Sequence, residues 1–324
     1  MTSETDSRYL STSGPQGSVR DGEERGKSMH RRGFLGLAVA LGTAALTEGC
    51  VTISPLATNG DFPVDASLNL AQSQTWMRMK QRNEGAGQII IGVKADQPGL
   101  GYFNAGSDSY SGFDILIAQM VAAGLGFRPS QIQFTTIASQ ARETELADGT
   151  VDLVVASYSY SADRAKLVDF AGPYFSTPEA LLVGRNDNGI TGLNSVTSST
   201  RVCAVSNSTM INGVQLQNPV TKNTYGECVD ALKSGMADVI YSDYALLLGY
   251  ADQDPGALKL IDTNSSTQYY GIGLPLGDTP LQKEINTLLS QAIANGTWRA
   301  IFNSTLAPEG LKPDPPTVGD WPSS

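Results

Sequence analysis

The sequence predicts an α/β protein of two lobes, and three observations point there. Short apolar runs of strand length alternate with segments whose apolar residues recur at helical spacing. The alternation is completed twice, each time over a length suited to a small parallel sheet covered by helices. A strand and a long helix then remain near the end, and they have no layer to pack on unless the chain returns to the first lobe.

Residues 89–93, IIIGV, read as a buried strand, and residues 112–126, GFDILIAQMVAAGLG, as an apolar-faced helix stopped by glycine. IQFTTI (132–137) is a strand, SQARETELADG (139–149) a helix with Ser139 as its N-cap, and VDLVVASYSY (151–160) a strand again. The second set is RVCAVSN (201–207), a helix from about Ser208, VQLQN (214–218), the helix GECVDALKSG (226–235), ADVIYSD (237–243) and the helix YALLLGYA (244–251). YYGIGLPL (269–276) and the helix DTPLQKEINTLLSQAIANG (278–296) are the returning elements. One lobe then comprises 86–184 with 269–306, and the other 185–268. Two crossings between them make a hinge and a cleft, with ligands expected beyond the carboxyl ends of the strands. Residues 50–85 read as a tether and first helix, and 307–324 as a Pro-rich tail.

The formal net charge is -10 and no basic stripe follows residue 50, which argues against a nucleic-acid partner. At the other end, HRRGFLGLAVALGTAALTEGC carries Arg31 and Arg32 before an apolar run too short to span a bilayer, and then Cys50. RRGFL resembles a twin-arginine export signal, and the following GC a lipoprotein cleavage site, so 1–49 is expected to be removed and Cys50 acylated. An uncleaved anchor is the other reading, and the export route stays open. Both put the folded part on the outer face of the cytoplasmic membrane.

His30 is the single histidine and lies in that leader, so the exported chain has no imidazole for Ser-His-Asp or Cys-His catalysis or for the usual zinc sites. No cofactor or metal is expected. Cys203 and Cys228 form an even pair in an oxidising compartment and are expected to be disulfide-bonded, contributing roughly 3 kcal/mol in the chain-entropy model.

Six stretches in order resemble the type II periplasmic solute-binding proteins of the polar amino-acid group, and most closely actinobacterial glutamate-binding lipoproteins. They are GVKADQPGLGY (92–102), GFDILIAQMVA (112–122), DLVVASYSYSADRAKLVDFAGPYF (152–175), VCAVSNSTM (202–210), CVDALKSGMADVIYSD (228–243) and YYGIGL (269–274). Leu116 departs from an acidic residue of the family motif. Asn207 departs from a glycine, a mild change because Asn tolerates left-handed geometry.

The resemblance implies a fold with a ligand cleft and two hinge crossings, and a site residue by residue. Arg164 would clamp an α-carboxylate as a guanidinium fork, while Ser208 and Thr209 approach it from a helix start in the other lobe. Asp243 would accept the α-ammonium. Gln97, Ser157 and Ser159 would contact the ligand, with Tyr158 as a wall or hinge contact. Lys94 and Arg142 would meet its side chain, and three cations against Asp243 suit a ligand with two carboxylates and one ammonium. On residue type alone, Arg164 could instead pair with Asp169, Asp243 could cap the next helix, Ser208 could be only an N-cap, and Lys94 and Arg142 could lie at the rim.

The implied function is a monomeric amino-acid-binding lipoprotein that delivers glutamate, or aspartate, glutamine or asparagine, to an ABC permease. A ligand-sensing subunit of a membrane receptor or kinase would need the same binding chemistry. An enzyme using Asp96 or Asp243 is disfavoured by the missing histidine and the absence of a paired-carboxylate spacing.

Overall fold

The computed structural model describes residues 60–322 apart from 211–218 and 313. The leader, Cys50, the start of the tether and the strand read at 214–218 lie outside the described residues.

The apolar run at 89–93 becomes β1 (Ile89–Val93), flanked in parallel by β5 (Ile132–Thr136) and β6 (Leu153–Val155). In the second lobe β8 (Val202–Val205) lies in parallel between β9 (Pro219–Lys222) and β10 (Val239–Asp243). β6, β8 and β10 are buried at every position, as parallel strands covered on both faces must be, whereas the edge strands β5 and β9 are only partly covered.

Two long strands join these halves: β7 (Asp169–Gly184) and β11 (Leu258–Leu274) pair antiparallel with each other. The sheet order is β5-β1-β6-β11-β7-β10-β8-β9, so the parallel prediction is corrected to a mixed sheet whose two central strands are the crossings. Strand spacing reaches only the end of β11 and none of β7. The reason is local: Pro173 and Pro178 interrupt β7, and DTNSST interrupts β11, where the register shifts between Asp262 and Thr267.

The helices follow the predicted faces. Between α1 (Gln74–Gln81) and α2 (Phe113–Gly124) lies a small sheet of β2 (Asp96–Gln97), β3 (Gly101–Asn104) and β4 (Ser109–Ser111). Gly112 starts α2 at φ 116, and a Cβ there would meet the Leu100 carbonyl oxygen at 2.3 Å, so only glycine fits. α3 (Arg142–Ala147) is shorter than predicted, because 139–141 form a 3-10 turn. α4 (Tyr225–Lys233) and α5 (Tyr244–Gln253) cover the second lobe, and the Cys203–Cys228 disulfide ties β8 to α4 across a Cα–Cα distance of 5.6 Å.

The last helices, α6 (Thr279–Ala294) and α7 (Thr297–Thr305), do return to the first lobe. Phe113 of α2 packs against Phe175 of β7 and Trp298 of α7 at 5.3 and 5.7 Å between ring centroids. Two tether-like readings are corrected. Phe62 is buried and Val64, Leu68 and Leu70 pack on the same core, so residues from 60 onward are part of the domain. In the Pro-rich tail, Trp321 stacks on Tyr160 at 4.6 Å and Gly319 donates its N–H to the Gly172 carbonyl at 2.7 Å. A large aromatic ring beats the extended preference of its prolines.

Candidate functional site

Where β6 ends, the chain must turn to keep Ser157 and Ser159 beside the second lobe. Ser157 does so at φ 43, a left-handed conformation that a non-glycine residue holds only under constraint. The constraint is Asp114, in the first turn of α2: it accepts from Ser157 N–H at 2.7 Å and from the Tyr174 hydroxyl at 2.8 Å. Burial pushes its carboxyl up to about 6. The Ser157 hydroxyl donates to Gln97 Oε1 at 2.8 Å, so only its lone pairs remain to face a ligand.

Arg164 follows at the start of a 3-10 turn and is buried. Its Nη1 donates to the Ser159 carbonyl (2.8 Å), its Nη2 to the Asn207 carbonyl of the other lobe (2.6 Å), and its Nε meets Glu143 Oε1 at 3.3 Å. A guanidinium has five N–H groups, so one hydrogen on each Nη is left to meet a carboxylate. Asp169 is not its partner; that carboxylate accepts from Gly277 N–H at 2.7 Å.

Asp243 ends β10 at the N-cap position of α5 but makes no capping hydrogen bond. Its Oδ2 accepts from the Tyr270 hydroxyl at 2.7 Å, and its buried Oδ1 has no protein partner. Burial, reinforced by the Glu179 charge, raises its pKa to about 7, so a cation placed on it would relieve an existing cost.

These groups surround one small cavity between the lobes. Ser139, Arg142, Ser157, Ser159 and Arg164 line it from one side, and Ser208, Thr209, Tyr225, Asp243 and Leu246 from the other. Seven of the ten residues expected from the sequence are thus together. The other three are displaced. Gln97 stands behind Ser157. Tyr158 lies beneath both arginines, its ring 4.2 Å from Arg142 Cζ and 5.3 Å from Arg164 Cζ, with its hydroxyl on Glu143 at 2.7 Å. Lys94 lines a neighbouring cavity with Asp96, Ser139, Thr224 and Tyr225 among others.

Ser139 is not a cap. Its hydroxyl accepts from Lys94 Nζ at 2.8 Å and its carbonyl from Arg142 Nε at 3.0 Å, because buried cations need acceptors more than a short helix needs a cap. Sequence reasoning also missed Glu143, Asp114, Tyr225 and Tyr270. Glu143 was adjacent to Arg142, Asp114 stood inside the GFD motif and Tyr270 inside YYGIGL; nothing local marked Tyr225. Glu143 changes the charge count, since it adds a second carboxylate to Asp243 beside the two arginines.

The lobes meet around this cavity. Arg142 and Arg164 both donate to the Asn207 carbonyl, and Asn207 Nδ2 donates to Glu143 Oε2 at 3.3 Å. Asn207 holds φ 57, the left-handed geometry its residue type tolerates. On the far side, Asp96 Oδ2 accepts from Gly226 N–H at the start of α4 (3.0 Å), and the Pro98 carbonyl leaves no room for a Cβ at Gly249. Among the described residues no cluster of metal-ligating side chains occurs.

Known proteins share this architecture. An ancestral arginine-binding protein bound to glutamine superposes with a TM-score of 0.63 at 26% identity, covering 67% of this chain and 97% of that one. The glutamate-binding protein GluB of Corynebacterium efficiens is 31% identical over 307 residues, 90% of this chain and 97% of its own. The ABC transporter glutamine-binding protein GlnH of Bacillus subtilis is 31% identical over 68% of this chain and 81% of its own. The model of bacterial extracellular solute-binding proteins, family 3, matches residues 89–306, across both lobes and both crossings. The chain belongs to the bacterial extracellular solute-binding proteins, family 3.

Proposed function

We propose that this protein is an extracytoplasmic amino-acid receptor, tethered through acylated Cys50, that closes its lobes on glutamate and presents it to an ABC permease. The observation that carries the reading is the pair of half-used groups in one interlobe cavity. The two remaining Nη hydrogens of Arg164 suit an α-carboxylate, and the unpartnered Oδ1 of Asp243 suits an α-ammonium. Ser157 and Ser159 hold the ligand main chain, and Ser208 and Thr209 close on it from the second lobe, with 185–268 moving against 86–184 and 269–306. The serines act as hydrogen-bonding groups: the Ser157 hydroxyl donates to an amide oxygen, which is no base.

Charge supports an acidic ligand. Lys94, beside this cavity, donates only to a carbonyl and a hydroxyl, and the second carboxylate of glutamate or aspartate would give its ammonium an anionic acceptor. Of the relatives named above, the glutamate binder matches 90% of this chain and the glutamine binder 68%.

Calorimetry with glutamate, aspartate, glutamine and asparagine tests this. The wild type binds glutamate best. Arg164→Ala strands the carboxylate in the cavity and loses about 3 to 5 kcal/mol of binding, a factor of several hundred or more. Undiminished glutamate binding by that variant would remove the site assignment.

A further inference from the structure

Ser139 and Tyr225 are the two residues that line both the central cavity and its neighbour, so an amino acid held by Arg164 and Asp243 has its side-chain exit between them. Lys94 stands at that exit. It is 5% exposed, and its ammonium donates to the Ile137 carbonyl at 3.0 Å and to the Ser139 hydroxyl at 2.8 Å. Both acceptors are neutral, and among the described residues the third N–H has no hydrogen-bond partner and no carboxylate forms an ion pair with it. Ser139 also receives Arg142 Nε, so one serine bridges two cations with no anion between them.

The charged groups facing Lys94 are unbalanced. Arg142 and Arg164 oppose its charge, while Asp96 and Asp114 favour it but are engaged elsewhere, on Gly226 N–H and on Ser157 N–H with Tyr174. From the second lobe come Val205, Asn223, Thr224 and Tyr225, all uncharged, the Tyr225 phenol being pushed up to about 12 by burial. Burial, then Arg142, holds Lys94 down at about 7.

We propose that Lys94 selects the ligand by a proton that only an acidic side chain retains, so that the preference for glutamate over glutamine is set by pH and is lost as pH rises above neutrality. The inference rests on the central cavity being an amino-acid site. A γ-carboxylate at the exit supplies the anion that the third N–H lacks and keeps the ammonium charged. The neutral amide of glutamine supplies none, and the ammonium then releases its proton. The glutamate complex therefore holds one more proton than the glutamine complex, and by linkage the affinity ratio falls about tenfold per pH unit above about pH 7.

The test is titration calorimetry of the wild-type protein with glutamate and with glutamine at about pH 6.5 and about pH 8.5, in phosphate and in Tris, whose ionisation heats differ. At the higher pH the proton counts should differ by about one between the two ligands, and the selectivity should have dropped more than tenfold. Lys94→Arg, which cannot titrate, should keep the preference for glutamate and flatten its pH dependence; Lys94→Met should lose both. Wild-type selectivity that is flat with pH, while both ligands bind, overturns the inference and leaves the amino-acid site standing. A Lys94→Met protein that retains the wild-type slope overturns it as well. Failure of every amino acid to bind removes the underlying reading instead.

Discussion

Glu179, on the hinge strand β7, is 6% exposed and collects four donors. The Tyr241 hydroxyl and Ser265 Oγ (3.0 Å) donate to Oε2, and Ser266 Oγ (2.9 Å) and Gln268 Nε2 (2.8 Å) to Oε1. Two of the four, Ser265 and Ser266, come from the stretch of β11 where the register slips and Gln268 from just beyond it, so one carboxylate holds the irregular part of the hinge in shape. Glu179→Ala would leave all four donors without it. Water can reach the hydroxyls of Ser265 and Ser266, and the net loss is about 3 to 5 kcal/mol, or roughly 10 °C in Tm for a protein of this size. Glu179→Gln keeps one acceptor oxygen and turns the other into a donor, so about half of that loss is expected. Glu179 also lies directly opposite Asp243 in the β7–β10 pairing, and its charge adds to burial in raising that carboxyl. The Gln variant should therefore be less stable yet hold a ligand ammonium at Asp243 no less tightly. Thermal unfolding and calorimetry on the same samples separate the two effects. A Gln variant as stable as wild type, or one that loses binding in proportion to stability, would refute the account of Glu179 as a hinge anchor.

Three further outcomes are expected. Trp321→Ala removes the ring stacked on Tyr160 and packed against Phe170, and should cost about 1 to 3 kcal/mol in a urea titration, against nothing measurable if the tail were a free linker. Reduction of Cys203–Cys228, which are 25 residues apart, should cost about 3 kcal/mol, seen as a lower Tm with a thiol-free phosphine. Stability of the ligand-free protein should pass through a minimum near neutrality. Asp114 and Asp243 are held up at about 6 and about 7, so the native state keeps protons that the unfolded chain releases, and stability falls as pH rises from about 4 to about 7. Lys94, held down at about 7, has the opposite sign: the unfolded chain binds the extra proton up to about pH 10, and stability recovers over that range. A Tm that climbs steadily from about pH 5 to about pH 9 would contradict these directions.

What could be read from the chain depended on how far apart the interacting residues lie. β1, β10 and the helices α2 and α6 are marked by their own apolar spacing, and Arg164, Asp243 and Ser157 by motifs a few residues long. β7 was hidden because its prolines break the local signal, while what makes it a strand is pairing with β11, about 90 residues later in the chain. The tail misled for the same reason: prolines and polar residues describe a linker until Trp321 finds Tyr160 and Phe170. In the site, the residues that would touch a ligand were legible. Those that set their charge and posture were not, because Glu179 and Tyr270 reach Asp243 only through the sheet, and Asp114 reaches Ser157 from 43 residues away.

One further consequence joins the site to the hinge. The Asn207 carbonyl of the second lobe receives hydrogen bonds from both Arg142 and Arg164, and Glu143, which pairs with Arg164, receives the Asn207 side chain. The side chain assigned to the α-carboxylate is thus also the chief bond across the cleft. Without a ligand, the Ser159 carbonyl and Glu143 already hold Arg164 in the geometry that reaches Asn207. A carboxylate on the remaining Nη hydrogens would add to that hold, so ligand and lobe contact draw on one side chain. A ligand lacking the carboxylate would add nothing to that hold and gain less from closure, which is how a clamp borne by one lobe can report its occupancy through the position of the other.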